Sequence, residues 1–337
     1  MFMKFSWFLL GLVASVSVFL VASPWLMPFF SGEVNTESFV PKTGGSVSPA
    51  NVSANATPPA PNPRWNHFPL KFFVDARYPN LTPSFANDVR NAFALWKDAS
   101  DNLATFEEVA TAGEADITIS WVNELKSVST DSIGDTNLKF VDLEKFKVIQ
   151  RAEIELLTKE GNKPLSDLDT TNLAIHEIGH ALGLSHSPLT ESIMYPKLTL
   201  PSRGTNKISA LDLQNLQETY RLPVKPDLAL GGVNATKFVA KTFFQTRYFL
   251  NLSVTTENIG LADVNSATLE IKTDGRVAKT SELSEISLGS SLLLTLGNLE
   301  ISEDFSRLEI TVDPQNLVGE LDEGNNKIIL EIQEMKT

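Results

Sequence analysis

The chain has no cysteine and only four histidines in 337 residues. Without cysteine there can be no disulfide scaffold, no thiol nucleophile and no thiolate-ligated metal. Positive charge is also short. Lys and Arg number 28 against 41 Asp and Glu, a formal net charge of −13. A nucleic-acid partner asks for a basic face, so this balance argues against one. It favours solubility and says nothing about fold. Charge of either sign is missing from Phe5 to Phe30, and Lys4 stands just before that run. The run is long enough to span a bilayer. Its lone positive flank favours an N-terminus left inside and a chain delivered outside. Residues 1–32 therefore read as a signal peptide or a signal anchor. Val21-Ala22-Ser23 suits cleavage, but Pro24 would follow the cut and hinder it, which favours the anchor. The expected location is extracytoplasmic, either held to the membrane by residues 5–30 or secreted.

Residues 33–64 are rich in Pro, Ser, Asn, Gly and Thr and read as a flexible linker. Asn51-Val52-Ser53 and Asn55-Ala56-Thr57 are glycosylation sequons within it. From Trp65 the pattern changes. Leu70 to Asp75 alternates as a strand does, and Thr82-Pro83 reads as an N-cap with proline at the first helical position. Phe85, Val89, Ala92, Phe93 and Trp96 then recur at helical spacing. Phe106 with Val109, the stretch Ala115 to Trp121, and Ala152 to Leu156 are expected strands. Residues 123–147 are mixed and are expected to be mostly irregular. Asp169 or Thr170 is expected to cap a second helix. Ser209-Ala210-Leu211-Asp212 resembles a capping box that opens a third. Residues 65–222 thus predict one domain of mixed strands and helices. Leu222 to Pro226 is a stiff break with a linker at 223–226. Beyond it, residues 227–334 carry only strand signals. Tyr248, Leu250, Leu252 and Val254 alternate, as do Leu269 with Ile271, then Leu308, Ile310 and Val312, and Ile328 to Ile332 closes the set. That spacing predicts an all-β sandwich of immunoglobulin type.

Three of the four histidines fall within eleven residues, His176-Glu177-Ile178-Gly179-His180-Ala181-Leu182-Gly183-Leu184-Ser185-His186. Histidines four apart on a helix share a face, so His176 and His180 can reach one metal ion. Gly183 stands where the helix must stop, and glycine tolerates the positive φ such a bend requires. The bend can deliver His186 as third ligand. Three protein ligands leave a fourth tetrahedral position for water, as in catalytic zinc sites. Glu177 is placed to take a proton from that water. Any single helical histidine is ordinarily a surface or core residue, and the combination overrides that reading.

The motif resembles the metzincin signature of zinc endopeptidases, and Ser192-Ile193-Met194-Tyr195-Pro196 lies where that group has its Met-turn. Ser185 and Ser187 flanking His186, and the run Met194-Tyr195-Pro196, look most like the matrixin branch. The segment Ser132 to Thr136 and the helix ending in Tyr220 are similar too. The resemblance implies a metzincin-like catalytic domain, a twisted mostly parallel sheet with three helices. It implies zinc on His176, His180 and His186, with Glu177 as general base acting on zinc-bound water and then passing the proton to the leaving amine. Met194 would floor the site, and Tyr195 to Leu198 would line a pocket of apolar preference. Asp212 would be a buried carboxylate bonded to the Met-turn backbone, although it could simply cap its helix. Tyr195 could be a further ligand, with Pro196 favouring a structural place for it in the turn. A polypeptide substrate would bind extended along a sheet edge near Ser132 to Leu138. With no cysteine and only His67 outside the motif, neither a cysteine switch nor a second three-histidine zinc is available. Asp131, Asp135 and Asp142 could hold calcium or could equally be a solvated loop.

Glu257 to Asp263, Val312 to Asn316 and Glu320 to Asn326 resemble the CARDB module of bacterial and archaeal surface proteins. That family is associated with adhesion, and its ligands are mostly unknown. Glu320, Asp322 and Glu323 are read as a solvated loop ahead of a metal site. Two functions follow: a zinc endopeptidase with a β-sandwich module, or a surface binding protein whose protease domain is secondary or silent.

Overall fold

The structure is a computed structural model that describes residues 17–19, 62–78, 83–125, 133–143 and 145–332. The expected leader or anchor, the linker sequons, the Thr82 cap and the carboxylate of Asp131 lie outside the described residues, apart from the backbone of Ser17–Phe19. The chain divides between Val224 and Lys225 into two compact units.

In the first unit, β1 (Leu70–Val74), β2 (Phe106–Glu108), β3 (Ile117–Val122), β4 (Gly134–Asp142) and β5 (Lys147–Leu157) form one sheet in the order β2-β1-β3-β5-β4. The first four strands are parallel, and β4 returns antiparallel to β5 as an edge strand. Alternate residues Ile117, Ile119 and Trp121 of β3 are buried, as the period of two requires. Three helices complete the unit: α1 (Pro83–Ala99), α2 (Asp167–Ala181) and α3 (Ala210–Thr219). α2 packs on α1 and on strands β4 and β5. One core joins Phe93 and Trp96 of α1, the inward residues of the sheet, and Leu173 and Ile178 of α2.

Two sequence expectations change here. α2 starts earlier than Asp169: Ser166 is its N-cap, and Asp169 is the N3 residue that returns a bond to the Ser166 backbone in a capping box. Both residue types cap well, and the choice is made by a reciprocal pair visible only once Ser166 is placed three residues upstream. Residues 123–147 are not all irregular, since they include β4. Its inward row is Gly134, Thr136, Leu138 and Phe140, all buried. Glycine and threonine at half of that row hide the alternation from a hydropathy reading.

The second unit is all antiparallel. One sheet orders β10 (Ser291–Ile301), β7 (Thr246–Asn258) and β6 (Leu228–Lys241), with the short backbone strand Ser17–Phe19 alongside β10. The other orders β9 (Arg276–Leu283), β8 (Ala267–Thr273), β11 (Arg307–Val312) and β12 (Lys327–Glu331). Leu250, Leu252 and Val254 from the first sheet share a core with Leu269, Ile271, Leu308 and Ile310 from the second. Among the described residues the first unit thus has three helices on a mixed, mostly parallel sheet, and the second is an all-β sandwich.

Candidate metal centre

The centre is built on the last turns of α2 and the reversal that follows. From Asn172 to Ala181 every residue of this helix is buried. Three aromatic residues satisfy its carbonyls from outside. Trp96 Nε1 donates to Ile175 O at 2.8 Å, Trp65 Nε1 to Ala181 O at 2.8 Å, and Tyr220 Oη to Leu182 O at 3.0 Å. The last two carbonyls belong to the helix terminus, where no intrahelical donor exists. Burial lifts the Tyr220 phenol above its usual range, so it stays a donor.

The helix ends in a Schellman motif. Gly183 N–H donates to His180 O at 2.8 Å and Leu184 N–H to Gly179 O at 3.0 Å. Gly183 has φ +91, and a Cβ there would stand 1.9 Å from Pro63 O. Only glycine allows both the turn and the close approach. The reversal also aims the Leu184 carbonyl at the His180 ring.

His180 Nδ1 lies 2.8 Å from Leu184 O, and His176 Nδ1 lies 2.7 Å from Ile193 O. A carbonyl can only accept, so each Nδ1 carries the proton. Burial pushes the His176 pKa down to about 4, against the pull of the Ile193 carbonyl, and drives His180 well below its usual value. Burial lowers His186 as well. Protonation at Nδ1 leaves the Nε2 of His176 and of His180 as bare acceptors. These acceptors face one another. His180 Nε2 is 3.2 Å from His176 Nε2 and 3.1 Å from His186 Nε2. The His176 and His180 lone pairs converge with no donor between them and with His186 Nε2 beside them, an arrangement that a shared cation satisfies. Ligands at roughly 2.0–2.1 Å from a tetrahedral zinc stand about 3.3 Å apart, so the three histidines fit that ion.

Glu177, 4% exposed, lies beside them. Thr136 of β4 donates its hydroxyl to Glu177 Oε2 at 2.6 Å, and the same hydroxyl lies 3.1 Å from Glu177 O. Burial raises the carboxyl to about 8, with Asp135 pushing the same way and Thr136 opposing. A cation on the histidines would favour the charged carboxylate and draw that value down. Gly134 has Glu177 Oε1 2.5 Å from where its Cβ would be.

The floor comes from residues 187–195. Ser187 N–H donates to Met194 O at 2.8 Å, and Tyr195 N–H to Ser192 O at 3.1 Å, closing the turn. Met194 is buried, Tyr195 half-buried and Pro196 exposed. A Cβ on Gly179 would meet Met194 Sδ at 2.3 Å, so glycine between the two helical histidines lets Met194 pack beneath them. Asp212, 1% exposed, accepts from Ile193 N at 3.1 Å, from Ser192 Oγ, and from its own N-cap Ser209 at 2.8 Å (N) and 2.6 Å (Oγ). It is thus a helix cap and a clamp on the turn at once. The clamp matters because Ile193 also orients His176.

The structure brings His176, His180, His186, Glu177, Gly183, Met194 and Asp212 into one site, with Tyr195 and Pro196 at its margin. Sequence reasoning missed Thr136, Gly134 and Gly179. Only the Gly-Asp-Thr run at 134–136 hinted at the first two, and nothing in a single sequence marks Gly179 beyond its place inside the motif. Asp135 and Asp142 form no oxygen cluster among the described residues, and Asp142 lies 3.9 Å from Lys147 Nζ.

Comparison with known proteins agrees with this geometry. Residues 64–221 match the family model Matrixin and residues 225–329 the family model CARDB. The chain is 32% identical over 178 residues to macrophage metalloelastase of Rattus norvegicus, covering 48% of this chain and 34% of that protein. It is 25% identical over 282 residues to karilysin of Tannerella forsythia, covering 79% of this chain and 56% of that protein. The chain therefore spans between a third and about half of these relatives. Among solved structures, the CARDB domain of a Pyrococcus furiosus protein is 21% identical with a TM-score of 0.26, covering 32% of this chain and 90% of that one. The chain carries a matrixin domain at residues 64–221 and, after it, a CARDB domain at residues 225–329.

Proposed function

We propose that the chain is a zinc-dependent endopeptidase whose general base is Glu177. The observation that carries this reading is the convergence of three neutral Nε2 atoms, 3.1 and 3.2 Å apart, beside one buried carboxylate. His176, His180 and His186 would hold the metal. Zinc supplies Lewis acidity and lowers the pKa of water toward about 7. Everything else falls to the protein. The Ile193 and Leu184 carbonyls hold two ligand rings in one tautomer and keep the ligands basic. Glu177 accepts a proton from the attacking water at a carboxylate oxygen and returns it to the leaving nitrogen. Met194 excludes water beneath the rings. A peptide would lie extended along β4, the sheet edge next to Glu177, and gain main-chain hydrogen bonds there. Tyr195 to Leu198 would wall the pocket for the residue after the cut. We take residues 65–222 as the catalytic domain, 227–334 as the β-sandwich module, and residues 1–32 as what carries both outside the cytoplasm.

The second reading, a surface binding protein with a silent protease domain, draws on the CARDB match. Retention of Glu177 with its dedicated donor favours the active enzyme, since a silent copy has no need of a base. Cleavage of casein or gelatin by the full-length chain, with and without a chelator, separates the two. Chelator-sensitive cleavage is expected. Glu177→Ala should bind zinc normally and lose at least about 10²-fold in kcat, the lower range for a general base. Substantial activity in Glu177→Ala would reject the assignment.

A further inference from the structure

Glu177 is held from two sides, by its own helix and by the edge strand β4. Residues 134 and 136 sit on one face of that strand, because side chains alternate with a period of two. The other inward positions of the strand, Leu138 and Phe140, are apolar and buried. Thr136 is the polar exception, at 2% exposed. A hydroxyl there must find a partner, and its closest one is Glu177 Oε2 at 2.6 Å. That distance is typical of a charge-assisted O–H···O⁻ bond, while the Glu177 carbonyl at 3.1 Å is the weaker second contact. The hydroxyl has one hydrogen to give, and the shorter contact takes it. Its position is set by backbone as well as side chain, since Thr136 pairs with Ile154 across β5 and a β-branched residue has little χ1 freedom. Gly134 completes the cradle. Any side chain there would stand 2.5 Å from Oε1 and 2.9 Å from Cδ, and would turn the carboxylate out of place.

We propose that Thr136 is a positioning residue for Glu177: its hydroxyl fixes Oε2 and with it the rotation of the carboxylate, leaving the other oxygen to take the proton. The proposal rests on Glu177 being the general base. Free glutamate has three rotatable bonds, and a misplaced base loses rate without losing ligand affinity. The buried Thr136 hydroxyl bonds to Glu177 and to none of the ligand nitrogens, so its loss is expected in kcat.

The test uses the full-length zinc-loaded chain. Thr136→Val keeps the shape and removes the donor. The expected result is a kcat about 10- to 100-fold lower, with KM, zinc content and melting temperature close to the parent. Thr136→Ser restores the donor and should recover most of kcat. Affinity for a peptide hydroxamate, which shares a proton with the base when it binds zinc, should fall in the Val variant and return in the Ser variant. If Thr136→Val does not fold, Thr136→Ala is read in the same way. An unchanged kcat in the Val variant overturns the proposal. So does an equal loss in Val and Ser accompanied by a fall in melting temperature, because that marks a purely structural role. Glu177→Ala serves as the control. If it stays active, the base reading itself fails. If it is inactive while Thr136→Val is fully active, only the role of Thr136 fails.

Discussion

Each unit holds a cluster of three titratable side chains, two of the three buried, and the two clusters are satisfied in opposite ways. In the second unit, carboxyl oxygens of Asp313, Glu320 and Glu323 lie within 4.8 Å of one another. Asp313 accepts from the backbone of Leu317 at 3.1 Å and Val318 at 2.7 Å. Glu320 accepts from Leu228 N–H and, at 2.9 Å, from Asn326 Nδ2. Glu323 accepts from Glu320 N–H at 3.1 Å. Protein donors meet these acceptors, and the bonds tie the start of β6 to the turn before β12. In the first unit, carbonyls meet the Nδ1 protons of His176 and His180, and the Nε2 lone pairs of these two face only imidazole nitrogens. Both clusters contain the residue types that bind metals. What separates them is where the unused lone pairs go: into the fold in one case, toward a common point in the other. Residue type alone does not distinguish a fold device from a metal centre, whereas donor and acceptor accounting does.

The sharpest way to break this comparison is zinc. At a thousandfold excess over its dissociation constant, a ligand adds about 4 kcal/mol of stability to the state that binds it. For a unit of this size that is roughly 10 °C in melting temperature. The shift should appear in hydrogen exchange of α1, α2 and the sheet of the first unit, which resolves the two units from one another. His180→Ala should abolish both the shift and the cleavage. Zinc shifting the second unit by a similar amount would contradict the accounting above.

Glu320→Ala probes the other cluster and has a smaller effect. It orphans the buried Leu228 N–H, at a cost of about 1–3 kcal/mol, while Asn326 Nδ2 keeps Glu323 Oε2 at 3.4 Å. The second unit should lose roughly 10 °C in melting temperature, on the scale of a ~100-residue domain. Zinc affinity and kcat should be unchanged. A loss of activity of more than a few-fold, measured on the folded protein, would show that the two clusters are not independent.

The same accounting explains what could be read from the sequence. The three ligands, the base and the Gly183 stop were legible because helix geometry fixes them locally, within eleven residues. The period of two exposed β1, β3, β5 and four of the seven sandwich strands β6–β12. It failed at β4, where Gly134 and Thr136 are small or polar because Glu177 occupies the space opposite. It failed at β6 as well, where Gly231 and Gly232 interrupt the run, and a Cβ on Gly231 would meet Glu257 Oε1 at 2.5 Å. In both strands a glycine that obscures the pattern, Gly134 in one and Gly231 in the other, faces a carboxylate distant in sequence. Long-range contacts of that kind leave no local period. The acidic group at 313–323 was legible only as a charged turn, since its burial depends on β6 arriving from nearly a hundred residues upstream.

The smallest effect is the most diagnostic, because the clusters predict opposite pH slopes. In the metal-free chain, burial lowers His176 to about 4 and lowers His180 and His186 too. The unfolded chain then takes up protons that the folded unit refuses, so stability contributed above pH 6.5 is lost as pH falls toward 4. Glu177, raised to about 8 by burial, and Asp88, raised to about 6 by burial and by Asp167, act in the opposite sense. His176 crosses its whole shift between pH 6.5 and 4 with His180 and His186 adding to it, whereas Glu177 crosses only part of its own, so the first unit should weaken on acidification through this window. Glu320 is raised to about 7, mainly by burial. Its folded state keeps a proton that the unfolded chain has released, so its contribution is present below pH 4.5 and lost as pH rises through 7. The second unit should therefore weaken on going from pH 4.5 to 7 while the metal-free first unit strengthens. Hydrogen exchange resolved by unit, with and without zinc, measures both slopes. Zinc should reinforce the dependence of the first unit, because protons compete for its ligands, and leave that of the second unchanged. Parallel slopes in the two units would mean that the buried imidazoles and carboxyls do not govern stability as the lone-pair accounting requires.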